Sequence, residues 1–140
     1  MRGFTRPLRA AGLLLALALA GCGSDTSYDN KPRPPEPIVV SASISTRSVS
    51  VSPTAFGGGP ITIVITNQSD ETQQLTVETA GAEAGITQKT GPINPGDTAS
   101  MKLLVTKGLY RVSVSGDGIK PGRLAVGSSR PSSQNDVLQP

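Results

Sequence analysis

The chain of 140 residues has no histidine, no tryptophan and a single cysteine, Cys22. Without imidazole no Ser-His-Asp triad can form. Neither a zinc site of the Cys/His kind nor a blue-copper site can be built, because each needs several imidazole or thiolate ligands. One thiol makes no intramolecular disulfide. Aromatic residues are nearly absent: Phe4, Tyr28, Phe56 and Tyr110 are the full set. The core must therefore rest on Val, Ile and Leu. After residue 21 no window of ten or more residues shows an apolar 3.6-residue period, so no amphipathic helix is predicted.

The first 22 residues carry an address. Arg2, Arg6 and Arg9 form a positive start, and Ala10 to Ala20 is an apolar run of eleven residues. That is about half of the ~20 residues a spanning helix needs. The run ends in Leu19-Ala20-Gly21-Cys22, the lipobox pattern of bacterial lipoproteins. Residues 1–21 are read as a lipoprotein signal peptide and Cys22 as the lipidated first residue of the mature chain. Acyl chains there hold a protein on a bilayer, at roughly 0.8 kcal/mol per buried methylene. The expected location is the extracytoplasmic face of the cell membrane, and the expected partner is the membrane itself, reached through Cys22.

Removal of the leader changes the charge. The full chain has 13 Lys+Arg against 10 Asp+Glu, and loss of three arginines leaves 10 against 10. A mature chain without net charge has no electrostatic reason to seek nucleic acid.

Residues 22–37 join the lipid-anchored cysteine to a Pro-rich tether, GSDTSYDNKPRPPEP after the cysteine. Such composition stays extended and solvated. Pro32-Arg33-Pro34-Pro35 could instead serve as a polyproline docking ligand. Residues 38–127 change character. Short β-branched runs open at Ile38, Val49, Pro60, Gln74, Ala99, Tyr110 and Arg123, with GGGP, NQSDET, GPINPGD, KG and GDGIKPG between them. These spacers have turn chemistry. The pattern predicts an all-β, antiparallel Greek-key β-sandwich of about seven or eight strands. Residues 128–140 read as a polar C-terminal tail. It is expected to be mobile by composition, with Val137-Leu138 as the apolar pair through which it would dock.

Within the sandwich, four phrases resemble the cupredoxin-like family: Val64-Ile65-Thr66-Asn67, Ile93-Asn94-Pro95-Gly96-Asp97-Thr98, Lys107-Gly108-Leu109-Tyr110 and Pro121-Gly122-Arg123-Leu124-Ala125-Val126. The resemblance implies that family's Greek-key fold. It also implies where copper ligands would stand. The first His position falls at Gln73, the Cys position at Val114, the second His position near Asp117 or Gly118, and the axial Met position near Lys120. None holds a copper ligand, so the resemblance is to a metal-free member with a degenerate site at Gln73, Val114 and Lys120.

Other motifs have plainer readings. Gly57-Gly58-Gly59-Pro60 lacks the Gly-Lys-Ser/Thr of a phosphate cradle and suits a turn leading into a strand. Asp70, Asp97 and Asp117 sit where turns favour Asp. Met101 and Tyr110 are expected to pack, the latter with its hydroxyl at the sheet edge. No catalytic residue and no cofactor is implied. The expected role is a non-enzymatic cell-surface module that binds a ligand or assists an envelope process. The alternative is an immunoglobulin-like structural or adhesion module without a pocket.

Overall fold

A computed structural model describes residues 32–81 and 85–133. The signal segment, Cys22 and Val137-Leu138 lie outside the described residues.

Eight strands follow one another: β1 (Ile38–Ile44), β2 (Val49–Ser52), β3 (Ala55–Asn67), β4 (Leu75–Thr79), β5 (Thr87–Lys89), β6 (Thr98–Val105), β7 (Gly108–Val114) and β8 (Gly122–Ser129). Seven answer to runs visible in the sequence. The eighth, β5, is Thr-Gln-Lys and fully exposed. It has no apolar alternation to announce it, and only its pairing with β4 makes it a strand.

The strands form two layers that share β3. One layer runs β2-β1-β3-β6 and the other β3-β8-β7-β4-β5. Five of the seven pairings are antiparallel, as the hairpin-rich sequence suggests. Two are parallel, β1 with β3 and β3 with β8. The sheet is therefore mixed. Parallel neighbours need a crossover rather than a hairpin, and the chain supplies it by passing between the layers from β2 to β3.

The core follows from the period of two. Along β3, Ile61, Ile63 and Ile65 are buried, while Thr62, Val64 and Thr66 lie on the other face and are less buried. Val40, Ala42 and Ile44 of β1, Leu75 and Val77 of β4, Val112 of β7 and Leu124 of β8 meet them in one cluster. Each fully buried aliphatic side chain contributes about 1.5–3 kcal/mol. Tyr110 joins this core, and Met101 packs against its margin. Both roles match the sequence reading.

The glycine run is a corner. Ala55 to Gly58 pair with β8, whereas Gly59 onward pairs with β6, with a register shift between Gly57 and Gly58. Gly59 has φ +138°, outside the range open to ordinary L-residues. Glycine also makes room there. A Cβ on Gly57 would stand 2.8 Å from Arg130 Cγ, and one on Gly59 would stand 2.8 Å from Pro35 Cγ.

Arg130 lies over this corner. Its backbone amide and its Nε donate to the Gly58 carbonyl, and its Nη2 donates to the Pro60 carbonyl. Ser132 Oγ donates to Arg33 O at 2.6 Å and Ser133 Oγ to Pro34 O at 2.9 Å. The beginning of the polar tail is thus ordered. β8 runs on to Ser129, past Val126, where the sequence pattern fades. The described part of the tail docks through Arg130, Ser132 and Ser133 onto the corner and the tether.

Candidate functional site

Four connections meet at the opposite end of the sandwich. Gln68 N donates to Ile44 O, Asn67 N to Asp97 O, Ser115 N to Gln74 O and Lys120 N to Arg47 O. These bonds gather residues 45–48, 68–74, 90–97 and 115–121 at this end, and the first, second and fourth of these segments line one cavity.

Asn67 organises the floor. β3 delivers it to the end of the strand, fully buried. Its Nδ2 donates to Glu71 O and to Ile93 O, each at 2.8 Å. Its Oδ1 accepts from Ser69 N at 3.0 Å and from Ser69 Oγ at 2.7 Å. Its backbone carbonyl accepts from Gly96 N at 2.7 Å. Every polar group of Asn67 is satisfied, as burial requires. The sequence marks it as the polar residue that closes a strand and ends the first of the four phrases.

Gln73 stands beside it, 2% exposed. Its backbone exchanges two hydrogen bonds with Ile93, Gln73 N to Ile93 O at 3.0 Å and Ile93 N to Gln73 O at 2.8 Å. Its Oε1 accepts from Gly116 N at 2.8 Å and from Ser115 Oγ at 3.3 Å. The amide therefore ties the β3–β4 connection to the β7–β8 connection. Gly116 leaves room for this amide, since a Cβ there would stand 2.7 Å from Gln73 Nε2. Sequence reading takes Gly116 as one more turn residue. The signal that it does more is only the Gly-Asp-Gly spacing, which many turns share.

The other two expected positions lie at the same end with different surroundings. Val114 ends β7 opposite Leu75 and packs half-buried against the core. It precedes the two residues that bind Gln73. Lys120 is exposed, and its backbone bridges Arg47 and Val49. The cavity of about 240 Å³ is lined by Thr46, Ser69, Asp70, Glu71, Gln73 and the Gly116–Ile119 turn. Gln73 faces it, and Val114 and Lys120 do not. Asp117 lies on its rim, beside Gly118 at φ +72°. Asp97 holds its turn through Asn94, whose Nδ2 donates to Asp97 Oδ2 at 3.1 Å.

No family model and no curated protein matches the chain. Among solved structures, auracyanin A, a "blue" copper protein from the green thermophilic photosynthetic bacterium Chloroflexus aurantiacus, is similar at 14% identity and a TM-score of 0.50, covering 66% of this chain and all of that one. The fold is cupredoxin-like. Auracyanin from Roseiflexus castenholzii aligns at 16% identity and a TM-score of 0.46, over 65% of this chain and 96% of that one. A purple cupredoxin from Nitrosopumilus maritimus aligns at 17% identity and 0.41, over 64% and 99%. Likeness at such identities concerns architecture and carries no activity with it.

Copper chemistry therefore has to be tested on the residues of this cupredoxin-like domain. A type 1 centre needs one thiolate and two imidazoles. The two imidazole places hold an amide whose oxygen is spent on Gly116 and Ser115 and the Asp117-Gly118 turn, the thiolate place an alkyl group in the core margin, and the axial place the exposed ammonium of Lys120. Among the described residues no group of three or more His, Cys, Asp or Glu is placed to hold a metal ion. The donor set does not fit the metal. What it does fit is a closed end, in which a side-chain amide and a backbone amide join two loops.

Proposed function

We propose that this chain is a lipid-anchored envelope protein whose cupredoxin-like domain works without copper, as a non-enzymatic binding or accessory module. The observation that carries the reading is the bond from Gly116 N to Gln73 Oε1. It engages the side chain at the expected first His position, Gln73, with the backbone two residues beyond the expected Cys position, Val114. The lipobox ending in Cys22 supports the anchor. The polar cavity beside Gln73 is the natural place for a small hydrogen-bonding ligand or for a loop of a partner.

Two measurements test this. Titration of the purified protein with Cu(II) is expected to give no intense blue thiolate-to-copper absorption, and its appearance overturns the copper-free reading. Mass analysis of the protein taken from membranes is expected to find a diacylglyceryl thioether on Cys22. An unmodified Cys22 in a protein whose leader has been cleaved overturns the anchor.

A further inference from the structure

Only half of the Gln73 amide is in use. Its Oε1 accepts from Gly116 N at 2.8 Å and from Ser115 Oγ at 3.3 Å. This fixes which way the amide points, since a flip would set its NH2 against the Gly116 N–H. Among the described residues no group accepts from Nε2, although the residue is only 2% exposed. Nor is Nε2 sealed in. Among the described residues the one fully enclosed side-chain nitrogen or oxygen without a partner is Arg130 Nη1, at the glycine corner. Nε2 lies over Gly116, and Gln73 lines the same cavity as Gly116, Asp117 and Ile119. Two N–H donors on a buried and rigidly held amide therefore open onto that cavity. Buried donors in folded proteins nearly always meet an acceptor, so an oxygen belongs in front of this one.

The rest of the lining has the opposite character. Asp70, Glu71 and Asp117 bring three carboxylates to the cavity, and no cationic side chain lines it. Arg47 and Lys120 adjoin the lining in sequence, after Thr46 and Ile119, and both are exposed. Neither is paired with these carboxylates: the side-chain ion pair among the described residues joins Glu78 and Arg111. The lining thus asks for positive charge at its rim and an acceptor oxygen at its floor.

The kind of cation follows from what else is there. The carboxylates are not grouped as the ligands of a metal ion, so a spherical cation would not engage them together. No aromatic side chain lines the cavity, and a quaternary ammonium is recognised by an aromatic cage. A primary ammonium suits carboxylates, because it donates charge-assisted hydrogen bonds to them. The volume of about 240 Å³ is the space of roughly eight bulk waters, which is the size of a small molecule.

We propose that this cavity binds a small primary amine that carries a carbonyl or hydroxyl oxygen close to its ammonium, as amino-acid amides and amino alcohols do. The oxygen accepts from Gln73 Nε2, and the ammonium lies among Asp70, Glu71 and Asp117. The inference rests on the reading of the domain as a copper-free binding module, and it names that module's ligand class.

The test titrates the full chain, in detergent micelles and metal-free buffer, and follows its amide signals by NMR. Glycinamide is the probe. Propylammonium keeps the ammonium without the oxygen, propionamide keeps the oxygen without the charge, and acetate tests an anion. Glycinamide is expected to shift the Gln73 side-chain NH2 and the Gly116 amide, and to bind about tenfold more tightly than either fragment. Asp70→Asn combined with Asp117→Asn alters two exposed residues of the rim. It is expected to weaken glycinamide about tenfold and to leave propionamide unchanged. The proposal is overturned if glycinamide and propylammonium bind equally, if acetate binds more tightly through Arg47 and Lys120, or if Gln73 and Gly116 do not respond. A blue band with Cu(II) would overturn the copper-free reading itself. No blue band together with no response to the amines overturns the ligand class and leaves that reading in place.

Discussion

Gly116 donates its backbone amide to the side-chain oxygen of Gln73 across 43 residues of sequence, at 2.8 Å. The bond is part-buried and carries the β4–β7 ladder, which ends at the Leu75–Val114 pair, into the two loops beyond it. It therefore sets how the end of the sandwich closes, and it can be broken from either side.

From the glutamine side, Gln73→Leu leaves the Gly116 amide without its acceptor. An unsatisfied buried donor costs about 1–3 kcal/mol. Urea unfolding should show an unfolding free energy lowered by that amount, through a lower midpoint at an unchanged slope, and hydrogen exchange at Gly116 should accelerate. A variant as stable as the parent would show that water replaces the amide without cost.

From the glycine side, Gly116→Ala puts a methyl 2.7 Å from Gln73 Nε2. One of the two must move. The expected loss is about 1–3 kcal/mol, typical of overpacking. The pair Gln73→Ala with Gly116→Ala should recover part of it, because the clash disappears. Strict additivity of the two losses would refute the steric explanation.

Asn67→Asp keeps the size of the side chain and removes its two donors. The carboxylate then faces the Glu71 and Ile93 carbonyls that Nδ2 now serves. A loss of about 3 kcal/mol or more is expected, since two acceptors lose partners and a charge is buried. Thermal unfolding checks it, and an unchanged midpoint would remove Asn67 from the centre of this end.

Tyr110→Phe deletes a hydroxyl that makes two bonds to the Thr106 backbone. The ring stays in the core, so the cost should be near ~1 kcal/mol. The change should be local. Hydrogen exchange at Thr106 and Lys107 should quicken, while β3 and β8 keep their protection.

Arg130→Ala removes the side-chain donors to Gly58 O and Pro60 O and leaves only the backbone amide on Gly58 O. Limited proteolysis should then cut near residues 32–37 and 130–133 faster than in the parent. Arg130→Lys should rescue little, because a single ammonium cannot span both carbonyls as the planar guanidinium does. Equal cleavage rates in all three proteins would mean that the two segments are held by Ser132 and Ser133 alone.

Much of this was legible in the chain before any coordinates. The period-two runs from Ile38 to Val126 announce seven of the eight strands, because alternation is the direct imprint of a half-buried sheet. The glycine and proline clusters mark the connections, and the missing histidine rules out type 1 copper at any position. Less was legible at the site. Gln73 was named as a position in a pattern, yet its partner Gly116 was read as part of a turn. Val114 and Lys120 were named with it, and only the end of the sandwich that they share follows from that reading.

The sequence by itself determined the alternation, the turns and the ligand chemistry that the chain cannot perform, since these depend on residue type and spacing over a few positions. The tertiary structure decided that β1 and β3 run parallel, that Arg130 closes over the glycine corner, and that Gln73 meets Gly116. Each of these joins residues tens of positions apart, and such contacts are set by the packing of two layers around one core rather than by any local preference.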